Sequence, residues 1–95
     1  EKDFLSETEM LNLATLLFKT KDWKRTNQTY EKLLEHSKSP SSFHHFYVES
    51  LVKEKRIVDA YKSLINHLKA FPDDKSAQQQ LKKLSPYIKS TKKNS

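Results

Sequence analysis

The chain holds no glycine and no cysteine in 95 residues. Without glycine there is no phosphate-cradling loop and no dinucleotide fingerprint, since both press backbone against a ligand where a Cβ would clash. Two-residue hairpins lose their favoured turn residue as well. Without cysteine there is no disulfide framework, no zinc–thiolate centre and no thiol nucleophile. That absence fits the cytosol or nucleus. No apolar run approaches the roughly 18 residues a membrane span requires, and no signal peptide is visible. The chain opens on Glu1 instead of Met, which suggests a fragment of a longer protein.

What is present is lean. Apolar residues are 35% of the chain and charged residues 32%. Ninety-five residues make one small domain at most, and a core this small favours simple helical packing. The net charge is +6, and all of the 18 cations except Arg25 and Arg56 are lysines. Such an excess suits acidic partners, and it also suits plain solubility.

Helical signals run the length of the chain. Ser6 with Glu9 forms a capping box, and Leu5 with Met10 can staple it. Met10, Leu13, Leu16 and Leu17 then recur as a stripe, with Ala14 beside it, which predicts a helix over 7–20. Asp22 can cap a second helix over 23–37, with Trp23, Tyr30, Leu33 and Leu34 inward. Pro40 breaks the chain, and Ser41 or Ser42 is placed to cap a third helix over 42–54. A fourth spans 56–70 on Ile57, Ala60, Tyr61, Leu64 and Leu68. "FPDD" ends it, and Asp73 or Asp74 opens a fifth over 75–84, ahead of Pro86. The polar end, 89–95, is expected to be a disordered basic tail.

Shifting the chain by 34 residues superposes it on itself. Leu13 meets Tyr47, Leu17 meets Leu51, Trp23 meets Ile57, Thr26 meets Ala60, Tyr30 meets Leu64 and Leu34 meets Leu68. Lys19 meets Lys53, and Lys21 meets Lys55. Small residues at Ala14, Thr26 and Ala60 permit close helix approach, while large ones fill the space beside them. The plan is helix, short turn, helix, given twice, each hairpin leaving a face for its neighbour.

On these residues the chain resembles the tetratricopeptide repeat family, whose period is the same. Repeat one, 7–40, supplies Met10, Leu13, Ala14, Leu17, Thr26, Tyr30 and Leu33. Repeat two, 41–74, supplies His44, Tyr47, Val48, Leu51, Ala60, Leu64 and Pro72. Lys38 stands where the closing proline belongs, Val48 where a small residue belongs, and His67 where the pattern has Ala. The resemblance implies an all-α fold of antiparallel helix–turn–helix repeats, an α-solenoid of about five helices. The repeat domain would be 7–88, after a lead-in at 1–6, with 75–88 as the closing helix.

What the resemblance implies about function is a non-catalytic scaffold or adaptor. The first helices of the repeats would line a groove for a peptide or helix of a partner protein. Carried over position by position, that groove is Leu11, Thr15, Phe18 and Lys19, then His45, Glu49, Val52 and Lys53, then Gln79 and Lys83. Some members clamp the acidic tails of chaperones there. Here the clamp places hold Leu11, Thr15, Glu49, Gln79 and Lys83. Only Lys83 suits a carboxylate, and Glu49 repels one.

The sequence offers other candidates as well. Lys19, Lys21, Lys24 and Arg25 surround the first turn, and Lys53, Lys55 and Arg56 the second. Stacked repeats would align them into a basic ridge, with Lys82 and Lys83 nearby. RNA or an acidic protein segment are its natural partners, and a merely solvated ridge is the bland alternative. Few aromatics interleave there, against single-strand binding. A purely structural piece of a longer solenoid is a third alternative. Adjacent His44 and His45 diverge on a helix, so no metal site or cofactor is expected. No Ser–His–Asp set assembles by spacing. Glu31 and Glu35 are expected as solvated surface. Trp23, sharing the place of Ile57, is expected in the core. "NQT" at 27–29 is a formal sequon placed mid-helix.

Overall fold

Ser6 starts the first helix as its spacing predicts. In the computed structural model, which describes residues 6–38 and 40–93, its hydroxyl accepts from the Glu9 amide at 3.1 Å and Glu9 Oε1 accepts from the Ser6 amide at 2.9 Å. The helices are α1 (Glu7–Lys19), α2 (Trp23–His36), α3 (His44–Lys53), α4 (Ile57–Ala70) and α5 (Lys75–Lys93), with a short 3₁₀ turn at Pro40–Ser42. Among the described residues there is no strand, and the fold is all-α.

The two hairpin turns repeat bond for bond. After α1, the Lys21 amide donates to the Phe18 carbonyl and the Asp22 amide to the Leu17 carbonyl. After α3, the Lys55 amide donates to Val52 and the Arg56 amide to Leu51. This is the Schellman closure, and it needs a residue at positive φ. Lys21 (φ 65°) and Lys55 (φ 66°) hold that place where glycine is customary. A residue with a Cβ is disfavoured there by about 1 kcal/mol. The 34-residue period is therefore a property of the backbone as well as of side-chain type.

Each helix packs on its sequence neighbour, α1 on α2, α2 on α3, α3 on α4 and α4 on α5, and α5 also meets α3. Ala14, Thr26 and Ala60 are fully buried, as close approach demands. Around them lie Tyr30, Leu33, Phe43, Tyr47, Val48, Leu51, Leu64, Ala77 and Leu84. Tyr30 and Phe43 stack with centroids 5.5 Å apart, joining the end of one repeat to the start of the next.

Several expectations are corrected. The third helix begins at His44, because Pro40–Ser42 forms the 3₁₀ turn and Phe43 takes the cap position without a side-chain bond. The fifth helix does not stop before Pro86. Its apolar face, Ala77, Leu81, Leu84 and Ile88, keeps helical spacing straight across the proline. Lys82, whose carbonyl loses its donor to the proline ring, is exposed, so water can satisfy it. Lys89–Lys93, expected in a disordered tail, continues the helix. The last two residues of that tail, and most of the lead-in at 1–6, lie outside the described residues. Leu16, placed on the stripe of α1, is exposed, and Trp23 is half-buried instead of fully in the core.

Candidate functional site

The groove candidates meet on an aromatic strip. Phe18 of α1 sets its ring edge-on to Trp23 at 5.1 Å and to Phe46 of α3 at 5.7 Å. Phe46 in turn meets His45 edge-on at 5.3 Å. Such edge-to-face pairs hold their geometry beyond simple area burial. Phe46 is 46% exposed, so the strip is ordered yet open. The residues alone placed Phe18 and His45 in the groove but not Phe46. The signal was there, because Phe46, Glu49 and Lys53 stand at i, i+3 and i+7 on one helical face.

The remaining groove positions divide by depth. Leu11 and Val52 pack against the core from its edge. Thr15 is exposed, and its hydroxyl donates back to the Leu11 carbonyl at 2.8 Å. Lys19, Lys53, Gln79 and Lys83 are exposed. Glu49 lies 3.8 Å from His45 Nε2. The other nitrogen of His45 contacts Ser76 Oγ at 3.0 Å, and Gln80 Nε2 donates to the His45 carbonyl at 3.0 Å. Through His45, then, α5 is tied to α3.

At the turn edge the cations are not equivalent. Lys21, Lys24 and Lys55 are exposed. Arg25 lies 3.7 Å from Asp22, whose side chain caps α2. Arg56 is held among three carboxylates: Nε donates to Asp59 at 2.9 Å, Nη1 to Glu54 and Nη2 to Glu31, both at 3.4 Å. Its bond to Asp59 first raises its pKa; burial opposes that next, and the Glu31 and Asp59 charges and the Glu54 bond add to the rise. It is therefore engaged in structure and is not a free ridge cation.

Those carboxylates open into a network that the residues alone did not reveal. Tyr47 donates to Glu31 at 3.0 Å, so Glu31, though still partly solvated, takes part in the repeat interface. Burial first, and the Glu31 charge second, push the Tyr47 hydroxyl well above its ordinary pKa. Asn27 is fully buried and donates to Glu54 at 2.7 Å and to the Ser50 carbonyl at 3.4 Å. The Ser50 hydroxyl donates back to Asn27 Oδ1. Asn27 is thus sealed from any glycan-transferring enzyme in the folded chain.

A second polar cluster sits at the far side of repeat two. The rings of His44 and His67 stack at 4.0 Å, both buried. His44 Nε2 contacts Ser63 Oγ at 2.8 Å, while its Nδ1 has no partner among the described residues. Burial, aided by the adjacent His67, lowers the pKa of His44 to about 4. His67 contacts Asp74 Oδ2 at 2.8 Å and Ser41 Oγ at 3.3 Å, so a serine, a histidine and an aspartate do meet, despite their spacing. Both contacts fall on Nε2. A nucleophile relay needs the carboxylate and the hydroxyl on opposite ring nitrogens. Asp74 instead caps α5, accepting from the Ala77 amide at 3.2 Å. Burial raises its pKa, but the bonds from His67 and Ala77 outweigh this and hold it below the usual carboxylate range.

Among the described residues, no three His, Asp or Glu side chains gather as a metal site, and no helix is long and apolar enough to cross a membrane. No family model, curated protein or solved structure matches the chain.

Proposed function

We propose that the domain is a protein-interaction module of the tetratricopeptide type, two helical hairpins with a closing helix. Its groove on α1, α3 and α5 would receive a peptide or helical segment of a partner. The observation that carries this is the half-exposed Phe18–Phe46 pair, with exposed Lys19 and Lys53 on the same two helices. An ordered aromatic seat flanked by cations favours a segment with a large apolar anchor and acidic neighbours. An acidic chaperone tail fits poorly, since Leu11 and Glu49 replace the cations such a clamp requires. The test is capture of partners by the full chain. Phe18→Ala with Phe46→Ala should abolish capture while the helical circular dichroism persists. Undiminished capture overturns the groove.

A second reading rests on Lys21 and Lys55, set at the same positive-φ place in both turns and exposed with Lys19, Lys24 and Lys53. These cations suit the phosphates of RNA. Binding would then weaken with salt at a log–log slope of about −0.7 per phosphate contact. Replacing Lys21, Lys24, Lys53 and Lys55 by Gln would flatten that slope. A chain with no RNA affinity at low salt removes this reading.

A further inference from the structure

The repeat shows what the outer face of α1 is shaped to receive. In α3, Tyr47, Ser50 and Leu51 are 7%, 0% and 0% exposed, because α2 lies on them. One period earlier stand Leu13, Leu16 and Leu17 of α1. Among the described residues no helix covers them from the corresponding side. Leu13 is 38% exposed and Leu16 58%. Leu13 and Leu17 border a cavity of about 250 Å³, walled also by Arg25, Gln28, Thr29 and Lys32. The charges in that wall are both cationic. Lys32 is exposed, and Arg25 keeps 73% of its side chain in solvent beside its one weak pairing with Asp22.

From this continuity we infer that the outer face of α1 and α2 docks one amphipathic helix of a partner protein, leucine-like toward Leu13 and Leu16 and acidic toward Arg25 and Lys32. A helix is the natural occupant because the same surface, one period on, holds a helix. A second copy of this chain does not fit. In α2, Asn27 and Glu31 find Ser50 and Arg56. The corresponding places on the open face are Leu16 and Asp22. A second α2 would lose a buried amide's partner there and set Glu31 against an aspartate. The other helix of that class, α4, is already covered by α5. The occupant must be apolar where α2 is polar, with its carboxylates displaced toward Arg25 and Lys32.

The probe is a fluorescein-labelled 16-residue peptide with leucines at i, i+3, i+4 and i+7 and glutamates on both flanks, titrated against the full chain by anisotropy. The glutamate peptide should bind, and its lysine counterpart should bind about tenfold more weakly or not at all. Leu16→Glu should weaken the glutamate peptide about tenfold, and Lys32→Glu severalfold with a shallower salt dependence. Lys32 is exposed, so that variant tests the site even if Leu16→Glu disturbs α1. Phe18→Ala, in the groove, should leave this binding unchanged, which separates the two surfaces. The proposal fails if the glutamate peptide does not bind, if both peptides bind alike, or if Phe18→Ala abolishes binding while Leu16→Glu does not. It also fails if sedimentation velocity shows a dimer of the chain that Leu16→Glu dissociates, since a second copy would then be the occupant.

Discussion

Repeat one and repeat two share a backbone and differ in what covers them. At the same place in the period, Leu16 is exposed and Ser50 is sealed. The apolar residue faces outward and the polar one inward, reversing the usual rule. The reason lies in the neighbours. Repeat two is flanked by α2 on one side and α5 on the other, while among the described residues repeat one has a neighbouring helix on one side only. Burial here follows position in the row of helices, and residue type follows it only where a neighbour exists.

The sharpest way to break this comparison is one truncation made twice. Leu51→Ala should destabilise by about 2–5 kcal/mol, as fully buried leucines do. Leu17→Ala, its counterpart, should cost about 1 kcal/mol, since Leu17 is only half-buried. Equal losses in urea denaturation would mean that the outer face of α1 is covered as fully as that of α3.

Acid should act through repeat two. His44 is held neutral down to about pH 4 in the folded chain, whereas an unfolded histidine protonates near 6.5. The unfolded state therefore binds the proton first, and stability falls as pH drops from about 6.5 toward 4. A displacement of that size corresponds to about 3 kcal/mol. Asp74 adds a loss of the same sign at lower pH, as its depressed carboxylate is finally protonated. Repeat one carries Met10 at the place of His44. His44→Met should abolish most of the fall between pH 6.5 and 4 in thermal melts. An unchanged pH profile would remove His44 as its source.

The polar seam between the repeats comes next. Asn27→Ala should cost about 1–3 kcal/mol, because Ser50 and Glu54 lose a buried partner. The double variant with Ser50→Ala should cost less than the two losses added together. Strict additivity would show that the two side chains do not interact.

The smallest effect concerns the shared turns. Lys21→Gly and Lys55→Gly should each stabilise by about 0.5–1 kcal/mol, by relieving a Cβ at positive φ. The two gains should agree, since the two turns do. A gain at one turn alone would mean that their surroundings, and not their backbone, set the cost.

Local features were legible in the residues. The capping box at Ser6 and Glu9, the cap at Asp22 and the recurrence of Lys21 at Lys55 all act within a few residues of themselves, so spacing reveals them. Register named Phe18 as a groove candidate, and its ring meets Phe46 of α3. What spacing could not show was contact between distant helices. Asn27 and Ser50 look like ordinary polar surface until α2 is laid on α3. Leu16 looks like core until α1 is seen to carry no helix on that side among the described residues. Pro86 looked like a stop because its local preference is strong, yet the apolar stripe from Ala77 to Ile88 outweighs it.

The order of packing also bears on how the chain acquires its structure. Each helix rests on its sequence neighbour, and the longer-range contacts, α3 with α5 and Phe18 of α1 with Phe46 of α3, skip a single helix each. Little chain entropy must be spent to close any of these contacts, and such topologies fold in microseconds to milliseconds. Folding can begin at either Schellman turn and spread outward, one helix at a time. Hydrogen exchange should then find the amides of α3 the slowest, because α3 alone has packed neighbours among α2, α4 and α5, while α1 opens ahead of the rest.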